Sequence, residues 1–142
     1  MKISMKKSAA AILFAVAMMF SAAVANATTV TEAQTLLANL KTETQSVVIT
    51  GKIAEKDRTG LVGKVDNASF AVDSAKFCGA VQKLNDFKQK INQLIAAGSI
   101  NQNPTDADGS PLVTGTQLLA DADAAIGAIN SLQTQNGGAS CY

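Results

Sequence analysis

Apolar residues recur every three or four positions in four stretches of the chain, the spacing that lines one face of an α-helix. The first stretch carries Ala33, Leu36, Leu37, Leu40, Val47 and Val48. Thr31-Glu32-Ala33-Gln34 has the form of a capping box at its start, and Gly51 follows its end. The second carries Leu61, Val62, Val65, Ala68 and Val72, and its start is expected near Asp57 or Thr59. Gly60 and Gly63 lower its intrinsic helicity. The third places Phe77, Ala80, Val81, Leu84, Phe87, Ile91, Leu94 and Ile95 on one stripe and stops at Gly98. The fourth carries Leu118, Leu119, Ala122, Ala125, Ile126, Ile129 and Leu132. Thr114 to Gln117 again has the capping-box form, and Asn136-Gly137-Gly138 ends the stretch.

No segment of useful length alternates with period two. Val47-Val48-Ile49 is the one β-branched cluster, and it falls at a helix end. The expected fold class is all-α, a compact four-helix bundle in which each one-sided stripe is buried against its neighbours. No internal repeat is visible. The connection from Ile100 to Val113 is the longest and contains both prolines. Such a loop is functional or simply mobile.

The N-terminus follows a different rule. Lys2, Lys6 and Lys7 precede an uncharged run from Ala9 to Val24, and Ala25-Asn26-Ala27 supplies small residues for cleavage. This is the pattern of a secretory signal peptide at 1–27, with 28–142 as a single helical domain. The apolar run is shorter than the roughly 20 residues a membrane span requires, and no second one follows. Removing the leader leaves nine basic and eleven acidic residues, a charge of −2. With one Arg, no Trp and no basic face, the remainder offers little to nucleic acid. The chain has no His, which excludes imidazole acid–base chemistry, His-dependent triads and His metal ligands.

Two Cys, Cys78 and Cys141, remain in a chain expected to leave the cytoplasm. An even count in an oxidising compartment reads as one disulfide. The alternatives are a free thiol or an intermolecular bridge through the penultimate Cys141.

Other local constellations are weak. Asp106-Ala107-Asp108-Gly109 echoes part of a calcium loop, but an EF-hand would need oxygen ligands where Pro104 and Gly115 stand. A solvated turn is the simpler reading, with a weak calcium site at Asp106 and Asp108 as the alternative. Asp121 and Asp123 are two apart and do not share a helical face. No carboxylate pair suited to glycoside hydrolysis is evident. Lys83, Lys88 and Lys90 lie off the third stripe and read as a solvated face. Lys64 and Asp66 are not one-turn neighbours. Asp66 is free to meet a helix end or a Lys on another helix.

Taken together, Leu61, Lys64, Asp66 and Ala68, then Ala80, Leu84-Asn85-Asp86-Phe87 and Ile91, resemble the FIMAH domain, "found in many adhesins and hydrolases". That domain has an L-x-x-K-x-D-x-A helix, an A-x-x-x-L-x-x-F helix, a short loop and a last helix rich in Leu and Ala. Ile100, Leu118, Leu119, Ala122 and Ile126 fit the later part, so the resemblance covers about Leu36 to Leu132. Family members with a disulfide often carry one Cys in the third helix and one after the last, similar to Cys78 and Cys141. Two features depart from the family pattern. Cys78 stands six residues before Leu84, about one turn early, and the 100–113 connection is longer.

The resemblance implies a non-catalytic accessory module of extracytoplasmic or cell-surface proteins, here free-standing and secreted. Leu61, Lys64, Asp66, Ala68, Leu84 and Phe87 would be its motif residues. The expectation is a bacterial protein that is not an enzyme, needs no cofactor or metal, and acts as a monomer on a protein or surface polymer. Its location would be the periplasm or the medium. A small periplasmic helper or inhibitor, binding one partner through an apolar helical groove, is the alternative.

Overall fold

A computed structural model describes residues 27–142. The expected leader lies outside the described residues except for Ala27. Four helices follow in order: α1, Val30–Ser46; α2, Ala54–Asp73; α3, Phe77–Ala96; and α4, Gly115–Gln135. Each packs on the next, and α4 closes back onto α1. The cross-links give the directions. Gln34 near the start of α1 donates to the Ser69 carbonyl and the Asp73 carboxylate near the end of α2. Arg58 early in α2 donates to the Val47 carbonyl just past α1. Neighbouring helices are therefore antiparallel, and the bundle runs up, down, up, down.

The periodic stripes form one core. Leu37, Leu40, Leu61, Val65, Val72, Val81, Leu84, Phe87, Ile91, Leu118 and Ile129 are fully buried within it. Leu36, Leu119, Ile126 and Ile95 pack partly buried at its edge. Val48 departs from the expected stripe and is half exposed, because α1 has already ended at Ser46. The β-branched cluster instead crosses the bundle end: Ile49 forms an antiparallel bridge with Ile100, both buried. Thr50 N–H donates to the Ser99 carbonyl and Asn101 N–H to the Val48 carbonyl, each at 2.9 Å. That bridge ties the α1–α2 connection to the α3–α4 connection.

Two helix starts differ from the sequence reading. The α1 capping box is Thr29 with Glu32, not Thr31 with Gln34: the Thr29 hydroxyl accepts from Glu32 N–H, and the Glu32 carboxylate returns to Thr29 N–H. Helix α2 begins at Ala54, three residues before Asp57, with Ile53 at its cap and no side-chain cap bond. At α4 the Thr114 hydroxyl does accept from Gln117 N–H. The reciprocal half of that box is absent, since the Gln117 amide reaches Glu43 on α1 instead.

The α2–α3 turn is short and contains Ala75 at φ 55°, a left-handed conformation that side chains resist. It is held by Lys76 N–H donating to the Ala71 carbonyl at 2.8 Å, the six-to-one bond of a Schellman ending. Cys78 and Cys141, 63 positions apart in sequence, are joined by a disulfide, with their Cα atoms 5.1 Å apart. The C-terminal tail is seated further by Cys141 N–H on the Asn130 side chain and by Asn85 on the Tyr142 carbonyl. Among the described residues no helix is long and apolar enough to cross a membrane.

Candidate functional site

The helical repeat that buries one face of α2 and α3 sets a second row of residues along the outer seam between them. On α3 the row is Gly79, Lys83, Asp86, Lys90 and Gln93, at three- and four-residue steps. On the antiparallel α2 it is Phe70, Asn67 and Lys64, with Lys76 at the turn. These residues line two successive open depressions. One, of about 430 Å³, is bounded by Asn67, Phe70, Ala71, Lys76, Gly79 and Lys83. The other, of about 250 Å³, is bounded by Lys64, Asp86, Gln89, Lys90 and Gln93. Phe70 is 72% exposed, an unusual position for an aromatic ring in a small bundle. Gly79 adds no side chain opposite it, which leaves that depression open.

Charge is distributed unevenly around this seam. Residues 54–97 hold seven of the nine described basic groups but only five of the eleven acids. Four of those acids already have a partner, and for Asp57 that partner is Lys90 of the seam itself. Glu55 pairs with Arg58, Asp57 with Lys90 at 2.8 Å, and Asp66 with Lys41 of α1 at 2.8 Å, while Asp73 accepts from Gln34. Among the described residues Lys64, Lys76 and Lys83 make no ion pair. Asp86 is the one acid in the row they share.

The six residues expected as motif residues divide. Leu61, Ala68, Leu84 and Phe87 are buried and belong to the core. Asp66 faces α1 and meets Lys41 across an exposed pair worth little to stability. Lys64 turns to the other side, into the seam, so the fold separates Lys64 from Asp66. The three lysines read as one solvated face also separate. Lys83 is exposed in the seam, whereas Lys90 pairs with the nearly buried Asp57 and Lys88 pairs with Asp123 of α4.

The structure also brings together two acids that are far apart in sequence. Glu43 of α1 and Asp121 of α4 meet on the opposite side of the bundle. Glu43 Oε2 and Asp121 Oδ2 are buried and reach no N–H or O–H donor. A proton on Glu43 supplies the donor that both oxygens lack. Burial first, then the hydrogen bond to Asp121 and the repulsion of its charge, push the Glu43 carboxyl from its ordinary 4.5 up to about 7. The Gln117 amide opposes this by donating to Glu43 Oε1 at 3.3 Å. A signal was present in the sequence: Glu43 falls on the apolar stripe of Leu36, Leu40 and Val47, and Asp121 on that of Leu118 and Ala125.

This pair is not arranged as glycosidase carboxylates. Those stand about 5 Å apart or more, with the scissile bond between them. Here the two groups touch, and neither lines a seam depression. Among the described residues no three His, Cys, Asp or Glu gather as a metal site. In the 100–113 connection the Asp106 carboxylate accepts from Asp108 N–H and Ser110 N–H, both at 2.9 Å, and so closes its own turn.

A third depression, of about 440 Å³, lies beside the disulfide between Gln82, Gln133 and the tail from Ala139 to Tyr142. No protein-family model, curated protein or solved structure matches the chain.

Proposed function

We propose that the chain is an exported, non-catalytic interaction module, of the kind that its resemblance to the FIMAH domain implies, and that it binds its partner along the α2–α3 seam. One observation carries this reading. The seam holds two successive open depressions lined by lysines, side-chain amides and one exposed aromatic ring, and three of its lysines make no ion pair among the described residues. Binding surfaces use exposed aromatic anchors with polar groups around them. The Cys78–Cys141 disulfide supports an oxidising, extracytoplasmic setting.

The test is capture from envelope and culture-medium fractions on the immobilised protein, beside a Lys64→Gln/Lys83→Gln variant. The module reading expects a component retained by the native protein and lost by the variant. Equal retention by both removes the seam. Intact mass of the isolated protein, beginning at Thr28 with no alkylatable thiol, checks export and oxidation together. The helper-or-inhibitor alternative draws support from the exposure of Phe70 beside Ala71 and Gly79. It expects a single protein retained in stoichiometric amount, sensitive to Phe70→Ala and not to the lysine changes.

A further inference from the structure

We infer that the α2–α3 seam binds an extended, carboxylated polysaccharide chain; this rests on the module reading above and names its ligand class. From Lys76 to Gln93 the seam follows α3 for about 25 Å, at 1.5 Å per residue. That length suits several units of a linear polymer better than one small anion.

The chemistry along the row is mixed in a way that fits such a chain. Lys64, Lys76 and Lys83 have no ion-pair partner among the described residues and outnumber Asp86, so the groove carries net positive charge for carboxylates. Asn67, Gln89, Gln93 and Asp86 offer donors and acceptors for hydroxyl groups. Phe70, 72% exposed at one end, offers aromatic surface against which the C–H face of a sugar can stack. The rest of the chain is acidic, so the attraction is local to this groove.

Other occupants fit less well. A β-strand has no edge to join, because both walls of the groove are α-helices. An amphipathic helix needs an apolar groove along its length, with anchors at i, i+3, i+4 and i+7. Here the lower depression is lined only by Lys64, Asp86, Gln89, Lys90 and Gln93. An anionic lipid surface favours a convex patch of cations around an aromatic, not a concave seam with a carboxylate in it.

The experiment is affinity gel electrophoresis of the isolated disulfide-bonded protein through gels holding polygalacturonate, alginate, neutral dextran or poly-L-glutamate. Flotation with vesicles of anionic phospholipid accompanies it. The expected result is retardation by the polyuronates and none by dextran. Lys64→Gln/Lys83→Gln should weaken polyuronate binding about tenfold and Phe70→Ala about fivefold, with thermal midpoints unchanged because these side chains lie outside the core. Backbone amide shifts on titration should centre on Gly79 and Gln93.

Absence of retardation by either polyuronate overturns the ligand assignment. Equal binding of poly-L-glutamate, indifferent to Phe70→Ala, reduces it to ion exchange and also overturns it. Vesicle flotation without polyuronate binding would replace the polymer with a membrane. If polyuronates fail but the native protein still captures an envelope component that Lys64→Gln/Lys83→Gln loses, the module reading stands and only the ligand falls. If both fail, both readings fall.

Discussion

Replacing Glu43 by Gln should make the bundle more stable at pH 8 and leave it nearly unchanged at pH 4.5. Glu43 Oε2 and Asp121 Oδ2 are buried with no N–H or O–H donor, so a proton on Glu43 supplies the one they lack. Glu43 stands in the last turn of α1, where the helix presents unpaired carbonyls and no basic residue to offset a negative charge. Its carboxyl is pushed up to about 7 from 4.5, so the folded chain holds this proton more tightly than the unfolded chain. The contribution of the protonated pair is therefore complete below about pH 4.5 and is lost as pH rises through about 7.

The full displacement from 4.5 to about 7 corresponds to a ceiling of about 3 kcal/mol, taking 1.36 kcal/mol per tenfold change in proton affinity. Glu43 is only half-buried, and solvent screening reduces the expected loss to about 1–2 kcal/mol between pH 5 and 8. The chain has no His, so few other groups titrate in that window. In Glu43→Gln the amide donates to Asp121 at every pH, and its oxygen still accepts from Gln117.

Urea unfolding at pH 4.5, 6, 7 and 8, with the disulfide intact, measures this directly. The native protein should lose about 1–2 kcal/mol across the series, while the Glu43→Gln stability curve should be flat over the same range. Asp121→Asn should also flatten the curve, by removing the charge that repels the Glu43 anion. A native stability that does not fall between pH 5 and 8, or a Glu43→Gln variant that keeps the native slope, refutes the raised Glu43 carboxyl.

Three further outcomes follow from the fold. Cys78→Ser/Cys141→Ser opens a closure across 63 residues and should cost about 2–4 kcal/mol in urea unfolding at fixed pH, with the helical circular-dichroism spectrum retained. Gly63→Ala should raise the thermal midpoint, gaining about 0.5–1 kcal/mol, because a Cβ there meets nothing within 4 Å in mid-α2. Ala75→Gly should stabilise by up to about 1 kcal/mol in the same assay, since it relieves the left-handed backbone at φ 55°.

What was legible in the sequence was periodic. The helical stripes of Leu, Val, Phe and Ile predict the four helices because burial repeats with the helix. Helix ends carry weaker signals. Two Thr-x-x-acid/amide boxes overlap at the start of α1, and local sequence does not say which closes; the structure uses Thr29 with Glu32. The start of α2 has no side-chain cap at all, so nothing in the sequence marks Ile53. The pairing of Glu43 with Asp121, 78 positions apart, depends on how α4 returns to α1. The seam was half visible. The lysine row on α3 could be read from spacing, but which of its members keep their charge free depends on Asp57 and Asp123 on other helices.

The six motif residues can be weighed in the same way. Four are explained by burial: Leu61, Ala68, Leu84 and Phe87 fill the core, and any apolar side chain of similar volume would serve that purpose. Asp66 is accounted for by Lys41 on α1. Lys64 is different. It is half-buried, it pairs with no acid among the described residues, and it sits in the seam beside Asp86 and Gln89. A charge with no paired acid adds little to stability. Packing and pairing thus account for five of the six positions. The one they leave over is the one that faces the groove, and this makes Lys64 the first position at which to separate binding from folding.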